Sequence, residues 1–118
     1  MNLFNKLNSI LKEYSEGNKT SAYKKFKKIY LRNNRDIKLR YNLAVMQQEL
    51  GLLDEAETNY ISLIKHRDES KYNINLYNLY ITQGSYLDAL KIIDSIKSQN
   101  LSLIKVDQDR AYILYLIK

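Results

Sequence analysis

The chain has no cysteine, no proline and no tryptophan, and only three glycines and one histidine among its 118 residues. Without cysteine there can be no disulfide framework, no thiolate nucleophile and no cysteine-ligated zinc. Without proline, no helix interior is broken by a residue that lacks an N–H. The single histidine, His66, stands between Lys65 and Arg67. Neither a serine–histidine pair nor a metal-ligand spacing can be built around it. No glycine-rich phosphate loop is present either, so no enzyme activity and no cofactor are expected.

Long hydrophobic runs are missing as well. No stretch reaches the length of a membrane-spanning helix. Residues 1–11 alternate polar and apolar side chains at helical spacing and lack the basic start and unbroken apolar run of a secretion signal. A cytoplasmic location is the expectation that follows. At 118 residues the chain is one domain's worth, long enough to bury a core without covalent staples.

Charge is present in excess of one sign. Nineteen lysines and arginines stand against 13 acids, a formal net charge of +6. Lysine outnumbers arginine 14 to 5, and isoleucine, asparagine and tyrosine are plentiful. All of these have AT-rich codons, so nucleotide composition alone accounts for much of the basicity. The excess is concentrated in residues 19–40, which hold nine of the bases and one acid, Asp36. Basic patches can track phosphate backbones. Lys24, Lys25, Lys27 and Lys28 flank Phe26 and Ile29, however, which places them on the outer side of a helix, where solvated lysine is the ordinary outcome.

Against this background the three glycines mark a period. Gly17, Gly51 and Gly84 are 34 and 33 residues apart. Five residues after each stands an alanine: Ala22, Ala56 and Ala89. Nine after comes a bulky apolar residue (Phe26, Tyr60, Ile93), and twelve after an aliphatic (Ile29, Leu63, Ile96). Nine before each is an asparagine: Asn8, Asn42 and Asn75. Five registers agreeing in three copies establish an internal repeat.

Each glycine divides two segments of helical periodicity. Leu39, Leu43, Met46 and Leu50 recur at three- and four-residue steps before Gly51, and Ala56, Tyr60, Leu63 and Ile64 follow it. Leu76, Leu79 and Tyr80 precede Gly84; Tyr86, Ala89, Leu90 and Ile93 come after. Glycine suits the turn because it takes positive φ without a Cβ clash. Asp54 and Glu55 fall where a helix start favours negative charge. The alanine lets two antiparallel helices cross closely, and the larger residues fill the flanks. One such pair cannot cover its own apolar face, so pairs must stack.

These residues resemble the tetratricopeptide repeat (TPR) family over about 100 residues. The resemblance is carried best by Tyr41-Asn42-Leu43-Ala44 with Gly51 and Asp54-Glu55-Ala56, and by the segment from Gly84 to Leu90. The sequence departs from the family where Lys6, Arg40 and Asn73 replace an early tryptophan, where no repeat-closing proline occurs, and where Ile10 and Tyr77 occupy a small-residue position that Ala44 satisfies. The pentatricopeptide family, which reads RNA, is similar in composition but has a longer period and a longer asparagine-to-glycine interval.

The resemblance implies an all-α fold, a right-handed α-solenoid of antiparallel helix pairs with about seven helices in one domain. Repeats are expected at about 3–36, 37–69 and 70–103, with a closing helix at 104–118. That last segment is apolar nearly all round, so a partner, self-association or a continuing chain is expected to cover it.

Family geometry also implies where a partner would bind, since the first helices of TPR repeats line a concave groove. By register the groove draws on Phe4, Leu7, Leu11, Tyr14 and Ser15; on Lys38, Tyr41, Val45, Gln48 and Glu49; on Lys71, Ile74, Asn78, Ile81 and Thr82; and on Lys105, Gln108, Tyr112 and Tyr115. Asn42 and Asn75 add amides. Leu7, Leu11 and Ile74 also read as core residues if the register slips by one, and for Leu7 and Leu11 the two readings weigh equally. Apolar and aromatic positions with a line of lysines and amides suit an extended or helical peptide with hydrophobic anchors and a few acids. One TPR subclass clamps carboxylates of chaperone tails. Asn42 and Lys71 match that clamp, whereas Leu7, Leu11 and Asn75 stand where it needs a lysine, an asparagine and a second cation.

The function expected is therefore a protein–protein interaction scaffold. Two alternatives remain open on sequence: an N-terminal TPR module that regulates or targets a larger enzyme, and an RNA- or anion-binding repeat that uses residues 19–40.

Overall fold

The computed structural model describes residues 2–98. Six α-helices run through them: α1 (Leu3–Ser15), α2 (Lys19–Arg32), α3 (Ile37–Glu49), α4 (Leu53–His66), α5 (Ser70–Gln83) and α6 (Tyr86–Ser98). The described residues contain no strand. The closing helix expected at 104–118 lies outside them.

The three glycine turns share one construction. Gly17, Gly51 and Gly84 take φ of 103°, 80° and 75°. In each, the residue after the glycine donates its N–H five residues back: Asn18 to the Glu13 carbonyl at 3.2 Å, Leu52 to Gln47 at 2.8 Å, Ser85 to Tyr80 at 2.8 Å. This is the six-to-one bond of a Schellman motif, which satisfies carbonyls a helix end leaves free. The same three residues then start the next helix. Their carbonyls accept from the N–H groups of Ala22, Ala56 and Ala89, at 3.0, 3.1 and 3.1 Å.

Those alanines have no exposed surface, and the bulky residues four positions on (Phe26, Tyr60 and Ile93) are buried with them. Ile29 is half-buried in the register where Leu63 and Ile96 are buried. In the first and third copies this alternation of small and large residues becomes close packing between paired helices, α1 on α2 and α5 on α6.

Of the helix starts that lack glycine, α1 and α3 use polar caps, whereas Glu69 before α5 makes no side-chain cap bond. Asn2 accepts from the Asn5 N–H at 2.8 Å and Asp36 from the Leu39 N–H at 3.1 Å. Either bond satisfies one of the amides that a helix start exposes.

The described residues fall into two compact units, one up to Asn59 and one from Tyr60 onward, whose boundary falls within α4. In the first unit α2 packs on both α1 and α3. Its core consists of Ile10, Ala22, Tyr23, Phe26, Tyr30, Leu39, Leu43 and Met46, with Leu7, Tyr14, Ile29 and Leu50 packed against it. In the second unit α5 packs on α6, and Tyr72, Leu76, Leu79, Ala89, Ile93 and Ile96 are buried.

Comparing first helices in register exposes an asymmetry. Leu39, Leu43 and Met46 of α3 are buried, as are Tyr72, Leu76 and Leu79 of α5. The corresponding stripe of α1 is Asn5, Ser9 and Lys12, polar and exposed. No described residue covers that face of α1.

Candidate functional site: the exposed faces of the first helices

Helix α1 brings Phe4, Leu7, Leu11 and Tyr14 to one face at steps of three, four and three. Leu7 and Tyr14 are half-buried and packed on the core. Phe4 is 69% exposed and Leu11 41%. Neighbouring Leu3 is 43% exposed as well. Ile10 takes the buried side. So Leu11 is not a core residue, Leu7 is one in part, and α1 leaves an apolar stripe in water among the described residues.

On α3 the corresponding face carries Lys38 and Asn42, both exposed, with Tyr41, Val45 and Gln48 half-buried. The C-terminal ends of α1 and α3 are brought together by charge. Lys19, at the start of α2, lies 3.8 Å from the Glu49 carboxylate. Its ammonium also stands 5.4 Å from the centroid of the Tyr14 ring, within cation–π range. Burial raises the Tyr14 phenol pKa, and the Glu49 carboxylate adds to the rise. Glu49 is near enough to disfavour the phenolate yet outside hydrogen-bond geometry with the hydroxyl, which is shielded from solvent. Tyr14 is thus held as a neutral, oriented aromatic at the end of the stripe.

On α5, Lys71 and Asn78 are exposed, and Ile74, Asn75 and Ile81 are half-buried. Lys71 is not a lone cation: its ammonium lies 3.7 Å from Glu69 and 5.4 Å from the centroid of the Tyr72 ring. Lys105 and Tyr112 lie outside the described residues, as do Gln108 and Tyr115.

Other sequence candidates are placed as follows. Lys24, Lys25, Lys27 and Lys28 are all exposed, the outcome expected of a solvated helix face. His66 ends α4 in the open. No group of three acids and histidines is positioned to hold a metal among the described residues. No helix among them is long and apolar enough to cross a membrane.

Two polar side chains are buried among the described residues. Gln47 and Asn73 are 3% and 1% exposed, positions at which an unpaired amide would be costly. Gln47 Nε2 donates to the Tyr23 hydroxyl at 3.1 Å, and its Oε1 accepts from Asn59 Nδ2 at 2.7 Å. Asn73 Nδ2 donates to Asp68 Oδ1 at 2.5 Å and to the Glu69 carbonyl at 3.2 Å. Asn73 is one of the residues that replace the family's tryptophan. Another, Arg40, donates from Nε to the Tyr30 hydroxyl at 2.7 Å and lies over its ring at 5.7 Å. The Gln47–Asn59 pairing recurs at the equivalent register of the first repeat. Glu13 and Lys25 pair at 2.8 Å with the same twelve-residue separation as Gln47 and Asn59.

No family model matches the chain, and no curated protein does. Solved structures do. The chain is similar to the Yersinia enterocolitica type III secretion chaperone SycD in complex with a peptide of the translocator YopD. That match has a TM-score of 0.79 at 14% identity and covers 98% of this chain and 95% of that one. A second structure of the Yersinia enterocolitica chaperone SycD matches at 0.71 and 14% identity, over 97% of this chain and 79% of that one. At this identity the likeness establishes a shared all-helical, TPR-like fold.

Proposed function

We propose that this chain is a TPR-family binding protein that holds a segment of a partner protein on the exposed faces of its first helices. In the first unit those faces are offered by α1 and α3, in the second by α5. The observation that carries the reading is the apolar stripe of α1. Phe4 and Leu11 lie exposed at groove register, with Leu3 exposed beside them. Exposed apolar surface rimmed by polar groups marks interaction sites. Oriented tyrosines such as Tyr14 and Tyr41 are efficient anchors, since a large ring is immobilised at little entropic cost. The fold likeness to a chaperone solved with a bound peptide supports the same reading.

The role is one of binding without chemistry, and a cytoplasmic setting is part of the proposal. Lys38 gives the α3 face a positive edge suited to acidic residues beside the partner's apolar anchors. Replacing Phe4 and, separately, Tyr41 with a photoreactive aromatic amino acid tests the reading. Partner adducts should form at both positions and not at Lys27 on the outer face of α2. Adducts confined to the Lys27 variant would overturn it.

A further inference from the structure

A shallow depression of about 290 Å³ lies on the opposite flank of the first helix pair, lined by Lys6, Ser9 and Ile10 of α1 and Lys25, Lys28 and Ile29 of α2. Its floor is apolar: Ile10 is buried and Ile29 half-buried. Its rim is cationic. Lys25 is paired with Glu13 at 2.8 Å, while neither Lys6 nor Lys28 has a carboxylate partner among the described residues.

The repeat register says what shape this depression accepts. Lys6, Ser9 and Ile10 of α1 correspond to Arg40, Leu43 and Ala44 of α3, each 34 positions on. Within the first unit Arg40 and Leu43 of α3 meet a helix, α2, whose Tyr30 hydroxyl accepts from Arg40. The flank of α1 is therefore the register equivalent of a surface that receives a helix. It differs in carrying lysine and serine where α3 carries arginine and leucine.

We infer that this depression docks an acidic amphipathic helix of a partner protein, set on α1 as α2 is set on α3. The apolar edge of that helix meets Ile10 and Ile29, and its carboxylates meet Lys6 and Lys28. Charge selects the occupant. A second copy of this chain carries a net charge of +6 and is repelled at a lysine rim, whereas an acidic helix is attracted to it. The site is separate from the apolar stripe of α1, so the two can be lost independently.

The probe is a fluorescein-labelled peptide of about four helical turns, with leucine and tyrosine at positions i, i+3, i+4 and i+7 and glutamate beside them. Its binding is followed by anisotropy. A matched peptide with lysine in place of glutamate is the control. Wild-type protein should bind the acidic probe and not the basic one. The double variant Lys6→Glu/Lys28→Glu should lose about tenfold or more in affinity with its circular dichroism unchanged. The variant Lys24→Glu/Lys27→Glu changes net charge equally on residues outside the depression and should retain most of the binding. Equal losses in the two double variants would mean diffuse attraction to a basic protein and overturn the site. So would sedimentation showing that the wild type dimerises through this face and that Lys6→Glu/Lys28→Glu disperses the dimer.

Discussion

The buried amide of Gln47 is held from both sides, donating to Tyr23 on α2 at 3.1 Å and accepting from Asn59 on α4 at 2.7 Å. One side chain thus ties three successive helices of the first unit. Truncation strands a buried hydroxyl and a half-buried amide, and leaving a buried group unpaired costs more than the bond alone contributes. Gln47→Ala should lower stability by about 1–3 kcal/mol, read from the urea midpoint at unchanged slope. A midpoint equal to wild type would mean that water satisfies both partners.

Ala56 has no exposed surface and closes the first turn of α4 on the Leu52 carbonyl at 3.1 Å. Ala56→Leu places extra methyl groups where paired helices meet and should destabilise by about 1–3 kcal/mol. Thermal denaturation checks it. An unchanged melt would contradict the close crossing assigned to all three alanines.

Gly51 is a backbone requirement. A Cβ added there meets nothing within 4 Å, but φ is +80°. Gly51→Ala should cost about 1–2 kcal/mol from the left-handed conformation alone. Gly51→Asn should cost less, because asparagine tolerates that region. If the two variants melted alike and well below wild type, crowding rather than φ would be the cause.

The Glu13–Lys25 pair makes a pH-dependent contribution. The hydrogen bond from Lys25 lowers the Glu13 pKa, with further lowering from Ser21, and outweighs the opposing effect of burial. A carboxyl whose folded pKa is depressed adds stability that is present above its unfolded pKa and lost as pH falls through the folded value. The stability gap between wild type and Glu13→Gln should therefore be largest near neutrality and close in acid. Because the pair is at the surface, salt should narrow the gap. A gap that widened on acidification would reverse the sign and remove the pair as its source.

Tyr41→Ala combined with Lys71→Ala removes an aromatic anchor and a cation from the proposed binding faces. Partner binding should weaken while helicity holds, since neither residue belongs to the buried core. Binding measured by titration calorimetry that persists unaltered would show that the partner lies elsewhere.

The helix pairs were legible because their signals are local. A glycine that needs positive φ, an alanine five residues on and aliphatic residues at helical steps all act within about one turn of a helix end. The polar pairings were not. Arg40 and Tyr30 are ten residues apart, and Gln47 and Tyr23 are 24 apart. The resemblance to the TPR pattern marked Arg40 and Asn73 as departures from it. The folded chain gives them jobs: one holds a tyrosine of the preceding helix, the other ties down the loop before α5. The α1 stripe was ambiguous for a similar reason. Periodicity places Leu7 and Leu11 on one face, but whether that face is covered depends on neighbours that periodicity does not name.

From its residues alone this chain was bound to form helices paired about three glycines, because φ preference and side-chain spacing act along the backbone. Tertiary structure decided which faces of those helices meet and which stay open. It buried Ile10 and left Phe4 in water on the same helix. Burial is a property of what packs alongside, and that is set by contacts between segments distant in the chain.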